Sequence, residues 1–263
     1  GEFGSHARFR RELNRLLRVA VVEHGAEFVV FPEYINVFAL FDNYSEQIVR
    51  AEEIDDLGTI IGRAGGVPQL LRQEIRSDTP KIKAIWSELA RAYDVWVLAG
   101  TAFVDAGDGV LRNRAWLFTP KGTLSYRQDK VFLTPFEQRE LELTPGNISR
   151  ARPFEIEGVS FGLSICRDSY FDEWEEPYAD VDIWLDIRAN GEIWNSEVRR
   201  RFDTAMPERV AETAVDGGLS TSLNGEYLEM VWQGPAFVVD ESGHRTAQAD
   251  TVDGDAILIV SGQ

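Results

Sequence analysis

Residues 8–24 (RFRRELNRLLRVAVVEH) set Leu13, Leu16, Leu17, Ala20 and Val21 at helical spacing, with Arg and Glu on the opposite face. After Gly25 the period changes to the short apolar run EFVVF at 27–31, which Pro32 stops. A helix with one apolar stripe leading into a fully apolar strand calls for a layered α/β arrangement, because the strand has two faces to bury and the helix one. The handover recurs with a helix over 81–93 and a strand over 95–100. Hairpins then accumulate, one over 114–118 and 123–127 and another over 152–156 and 159–165, turning at Thr119–Gly122 and at Glu157-Gly158. A short helix over 170–178, a strand over 182–187 and a helix over 195–214, broken near Pro207, follow. Strands are expected over 218–223, 235–239 and 255–260. Between the first strand and residue 81, the acidic, Gly-containing stretch 42–80 reads as helix fragments and loops of the kind that surround a pocket. The pattern is a mixed α/β system, and no linker divides it, so one domain over 1–263 is expected. Gly1–His6 lacks a Met and reads as a cloning scar, outside the fold argument.

Composition removes several functions. There are 27 basic and 44 acidic residues, a net charge of −17, which repels phosphate backbones and anionic lipid, so no nucleic-acid or membrane partner is expected. A single Cys excludes an internal disulfide and a Cys-based zinc site, and His24 and His244 give no His-rich metal site, so no metal and no cofactor is expected. No apolar run reaches the roughly 18 residues of a membrane span. No secretory apolar segment opens the sequence, and cytoplasm is the expected compartment. Nucleotide-binding patterns of the GxxxxGK[ST] or GxGxxG type are absent.

Three segments carry chemistry. Glu33 follows a strand in Phe31-Pro32-Glu33, where a carboxylate leaves the core. Taken alone it reads as an exposed loop acid. Lys130 lies in DKVFLTPFE at 129–137, after a hairpin, and alone reads as a surface cation. Cys166 ends the apolar strand of GLSICRD at 162–168, just before a helical turn whose dipole and free N–H groups favour a thiolate. Alone it reads as a buried inert thiol.

In this order the three segments resemble the nitrilase superfamily, the carbon–nitrogen hydrolases, and the resemblance runs from the first helix to the final strands, more loosely through Pro207–Ala214 and GPAFVVDESG at 234–243. It implies a four-layer α-β-β-α sandwich, a homodimer or higher homo-oligomer, and a Glu33–Lys130–Cys166 triad acting on a small amide with water. The thiolate attacks, ammonia or an amine leaves, and a thioester is hydrolysed. Glu33 would be the general base and Lys130 the charge beside the oxyanion, with the backbone N–H of Arg167 as a second donor. Glu137 corresponds to the family's second glutamate, with Glu140 and Glu142 as rivals. Two departures stand out. The family opens on a strand of the type VALVQ, which is expected to be missing here. Where nitrilases carry Cys-Trp-Glu and many amidases Cys-Tyr-Asp, this chain has Cys-Arg-Asp, and Asp168 leans toward the amidase branch. A cation at Arg167 hints at an anionic substrate group, or else at an ion pair with Asp168 or another acid. A nitrilase, an N-carbamoyl amide hydrolase and a catalytically idle scaffold are the alternatives. A cysteine protease fits less well, since no His motif accompanies Cys166.

Overall fold

The computed structural model describes residues 5–51, 54–107, 110–227 and 230–261. The chain divides into two compact units. The first takes Gly1–Arg127, Leu133–Thr144 and Glu226–Met230, and the second Gln128–Phe132, Pro145–Gly225 and Val231–Gln263.

In the first unit, helix α1 (His6–Leu17) buries Leu13 and Leu17 of the expected stripe together with Phe9, leaves Leu16 half-buried, and passes into a π-helical turn over Arg18–Glu23 that buries Ala20. Burying three such side chains contributes roughly 2 kcal/mol each. Ser5, set aside with the scar, caps this helix by accepting from the Arg8 N–H, and His6 forms its first residue and pairs with Asp42 and Asp78. Gly1–Gly4 lie outside the described residues. Strand β1 (Phe28–Val30) leads to helices α2 (Ser45–Arg50), α3 (Gly58–Ala64) and α4 (Val67–Tyr93). Short helices appear over 42–64, as the sequence suggested, but 67–80 is neither fragment nor loop: it is the first half of a 27-residue helix that carries Pro80 in its interior. An internal Pro costs a helix about 3 kcal/mol, yet α4 buries Leu70, Leu71, Ile75, Ile82, Ile85, Trp86 and Leu89 on both sides of it, and that burial outweighs the lost bond. Phe9 and Phe31 both pack edge-on against Trp86, at 6.0 and 4.9 Å. Strands β2 (Trp96–Asp105), β3 (Leu111–Phe118) and β4 (Leu124–Asp129) complete a sheet ordered β1-β2-β3-β4, parallel between β1 and β2 and antiparallel between β2 and β3. Helix α5 (Pro135–Arg139) closes this unit's described helices.

The second unit is built on strands β5 (Phe154–Ile156), β6 (Val159–Ile165), β7 (Ile183–Arg188) and β8 (Gly217–Ser222). Next in the chain β9 (Gly225–Tyr227) pairs with β10 (Met230–Trp232) around the first unit's Glu226–Met230 segment, and the second unit's strands end with β11 (Phe237–Asp240) and β12 (Arg245–Gln248). The six-stranded sheet runs β12-β11-β8-β7-β6-β5, with β6, β7 and β8 parallel. Helices α6 (Glu175–Tyr178), α7 (Ser196–Asp203) and α8 (Met206–Ala211) accompany it, and Trp174, Tyr178, Trp184, Met206, Val210 and Phe237 form its core. Gly162 is required there because a Cβ would come within 2.7 Å of the Tyr178 ring. The helix expected over 170–178 is two 3-10 turns and one short α-turn instead. The strand expected over 255–260 does not form, and Ile257, Ile259 and Val260 are exposed. A continuous apolar run becomes a strand only when it forms a ladder with a neighbouring strand, and 255–260 forms none among the described residues. Among the described residues no helix is long and apolar enough to cross a membrane.

Candidate active site

In the first unit, the segment after β1 is strapped to β2. Phe31 N–H donates to Leu98 O at 2.9 Å, Tyr34 N–H to Thr101 Oγ1 at 2.9 Å, and Asn36 N–H to Thr101 O. The strap fits closely because Gly100, in the left-handed region at φ 58°, has no Cβ. One there would collide with the Pro32 carbonyl. Tyr34 also has positive φ, 63°, so the chain turns sharply just past Glu33 and leaves it fully buried. Its Oε1 accepts from Asn113 Nδ2 at 2.8 Å, and the same nitrogen donates to Glu137 Oε1 at 3.0 Å. Glu33, Asn113 and Glu137 all have zero solvent exposure.

Glu137 is held a second way. Thr134-Pro135-Phe136-Glu137 is a capping box at the start of α5: Glu137 N–H donates to Thr134 Oγ1 at 3.2 Å, and Thr134 N–H to Glu137 Oε2 at 2.8 Å. The rivals are surface residues. Glu140 is exposed, and Glu142 is exposed and paired with Arg72 at 3.0 Å.

In the second unit, Cys166 follows β6 directly, at the carboxyl end of three parallel strands, where α/β sheets place their reactive groups. Its φ is 54°, a left-handed backbone that costs a side-chain-bearing residue on the order of 1–3 kcal/mol. The residue is half-buried. The 3-10 turn Cys166–Tyr170 begins here, and Ser169 Oγ donates to Cys166 O at 2.8 Å. Lys130 is 1% exposed, and its peptide is fixed by Gly146 N–H donating to Lys130 O at 2.8 Å.

Asp168 joins these two segments. Its buried carboxylate accepts from Val131 N–H at 3.1 Å and Phe132 N–H at 2.7 Å, just past Lys130, and from Ile165 N–H at 3.3 Å, just before Cys166. Burial raises its pKa from 3.8 to about 7, against the lowering effects of the Phe132 N–H, the Lys130 charge and the other two N–H groups. Arg167 lays its guanidinium over the Phe171 ring at 5.4 Å, and Phe171 stacks on Phe132 at 3.8 Å.

Two groups escaped the sequence reading. Asn113 sits in β3 at an inward position of an alternating strand, flanked by the half-buried Arg112 and Arg114. An Asn at such a position is unfavourable for a strand, and that was the available signal. On β7, Arg188 donates through Nε to Asp186, both buried, while Ser164 Oγ donates to Asp186 Oδ1 at 3.2 Å. Strand register sets Arg188 one residue past Ile187, the partner of Ile165, and so beside the turn that begins at Cys166. The surface concavity lined by Tyr44, Gln47, Ile60, Arg63, Ala64 and Gln73 contains none of these groups.

The family model for carbon–nitrogen hydrolase matches residues 10–261. A probable hydrolase of Bacillus subtilis, YhcX, is 30% identical over 113 residues, which are 43% of this chain and 21% of that protein. Among solved structures, the chain resembles a carbon–nitrogen hydrolase from Helicobacter pylori G27, with a TM-score of 0.68 and 20% identity, covering 94% of this chain and 81% of the other. It also resembles Saccharomyces cerevisiae Nit3, a member of branch 10 of the nitrilase superfamily, with a TM-score of 0.68 and 19% identity over 96% and 84% of the two chains. A third similar structure is a Glu-to-Gln mutant of the amidase from Nesterenkonia sp. AN1, in which acrylamide has added to the active-site cysteine. Its TM-score is 0.66 at 16% identity, with 94% and 84% covered. At these identities the structures establish the fold, a mixed α/β architecture of the nitrilase type.

Proposed function

The chain belongs to the carbon–nitrogen hydrolase family, and from that premise we propose that it hydrolyses the carbon–nitrogen bond of a small amide, with Cys166 as nucleophile, Glu33 as general base and Lys130 as the charge that stabilises the oxyanion. The observation that carries this reading is the strained, half-buried Cys166 at a parallel-strand end, with the segment bearing buried Lys130 clasped to the same turn by Asp168. A structural cysteine has no need of a left-handed backbone, and a surface lysine is not buried. The adduct at the cysteine of the Nesterenkonia amidase supports the same assignment by analogy.

In the reaction, Glu33 takes the Cys166 thiol proton as sulfur bonds to the carbonyl carbon. The oxygen's negative charge develops against the Lys130 ammonium and the Arg167 N–H. The carbon–nitrogen bond then breaks, nitrogen leaves as ammonia or amine with the transferred proton, and a thioester remains. Water, deprotonated by Glu33, attacks the thioester. The carboxylic acid leaves and the thiol is restored. Glu137 orients the first unit's acid cluster.

The test is ammonia release from a panel of aliphatic amides, N-carbamoyl compounds and nitriles by the wild type, Cys166→Ala and Glu33→Gln. Turnover of amides by the wild type alone is expected. Folded Cys166→Ala at the wild-type rate removes the mechanism. Turnover confined to nitriles or carbamoyl compounds moves the substrate class.

A further inference from the structure

We propose that Asn113 is a positioning residue for this hydrolysis: its amide holds the Glu33 carboxylate in a single orientation by bridging it to Glu137. The inference rests on the reading of Glu33 as the general base.

Both hydrogens of one amide nitrogen go to carboxylates from two different stretches of chain, 80 and 24 residues away, at 2.8 and 3.0 Å. All three side chains are fully buried. Two acids enclosed together repel each other and lose hydration, so a core built only for stability avoids the pairing. The amide's orientation is set by these acids alone. Turned over, it would face its Oδ1 against two acceptor oxygens. As it stands, Oδ1 is buried with no hydrogen-bond partner among the described residues. An unsatisfied buried acceptor is costly, and nothing on the Oδ1 side repays that cost, so the grip on the acids does.

The same unit contains a counter-example. Asn36 is equally buried, but it donates to the backbone carbonyls of Ala99 and Thr101, at 2.7 and 3.1 Å, and accepts from Trp86 Nε1. Its amide is fully used by two backbone carbonyls and an indole, and it touches no acid in these bonds. Asn113 binds no backbone atom through its amide and binds two acids. Glu137 cannot drift, because the capping box at α5 fixes its other oxygen. The bridge therefore references Glu33 to the start of a helix. A general base that turns away from its proton loses rate without losing substrate affinity.

The experiment measures kcat and KM for the best amide of the panel, together with the rate at which iodoacetamide alkylates Cys166, the only thiol of the chain. The variants are Asn113→Leu, with no donor, Asn113→Ser, with one, and Asn36→Leu as the structural comparison. The expected result is a kcat lower by about 10²-fold in Asn113→Leu, the scale of a misplacement of about 1 Å. KM should stay within about threefold, alkylation should slow, and Asn113→Ser should fall between. Asn36→Leu should lower the melting temperature more than Asn113→Leu does and cost the folded fraction far less kcat. Wild-type kcat in folded Asn113→Leu overturns the proposal, and so does wild-type kcat in Asn113→Ser if the Leu variant does not fold. Glu33→Gln is run alongside. If it too turns over at the wild-type rate, the base assignment has failed. If it is inactive while the Asn113 variants are normal, only the positioning role has failed.

Discussion

Cys166 has a backbone that its residue type disfavours, with φ at 54° in a turn that no glycine occupies. Only glycine adopts that region without a penalty. Replacing the thiol with hydrogen and replacing the whole side chain should therefore differ in stability. Cys166→Gly is expected to be more stable than Cys166→Ala by about 1 kcal/mol in urea unfolding. Equal stabilities would mean that the turn relaxes to an ordinary backbone in solution and stores no strain. The same logic explains Gly100, whose missing Cβ lets the Pro32 carbonyl approach and so turns the chain at Glu33.

At the level of elements, the second unit depends on a clasp between its Val131-Phe132 segment and the end of β6, made by the Asp168 carboxylate with three N–H donors. Those donors favour the ionised form, but burial is the larger effect, and the Asp168 pKa rises from 3.8 to about 7. For an acid whose folded pKa exceeds its unfolded one, the folded state binds more protons in between, so stability falls as pH rises through that window. The contribution is fully present below about 3.8 and fully lost above about 7. Asp168→Asn cannot titrate. Relative to the wild type it should gain stability between these limits, by on the order of 4 kcal/mol at full shift, and the difference should level off above them. Urea unfolding of both proteins at a series of pH values measures this. A difference that does not vary with pH would mean that the native carboxylate titrates normally. The hairpin patterns of β3–β4 and β5–β6 were legible in the sequence because turn residues and alternation are local signals. The first half of α4 was not, because Pro68, Pro80 and the Gly65-Gly66 pair just before it are local evidence against a helix, and only the burial of Leu70, Leu71 and Ile75 overrides them.

Over the whole molecule, 44 acidic residues face 27 basic ones. Surface pairs such as Arg10–Glu88 and Arg201–Glu192 use some of the acids but leave a net charge of −17. Self-repulsion of that size acts against the compact state, and salt screens it over about 8–10 Å near physiological strength. Raising NaCl from about 20 mM to about 500 mM should raise the melting temperature by a few degrees, since screened repulsion outweighs the small loss from exposed ion pairs. A falling melting temperature in differential scanning calorimetry would show that the pairs matter more than the net charge.

The sequence alone determined the family, the mixed α/β class and the segments that bear Glu33, Lys130 and Cys166. Those signals lie within a few residues of one another along the chain: a strand's period, the Pro that ends it, and the polar residue that follows. Tertiary structure decided what depends on distant partners. It buried Glu137 and left Glu140 and Glu142 outside, gave Asn113 two acids to hold, and wound a helix through Pro80. It also left 255–260 without a strand. Whether a given acid is buried, or a given apolar run paired, is set by residues up to 80 positions away in the chain, and local pattern carries no record of them.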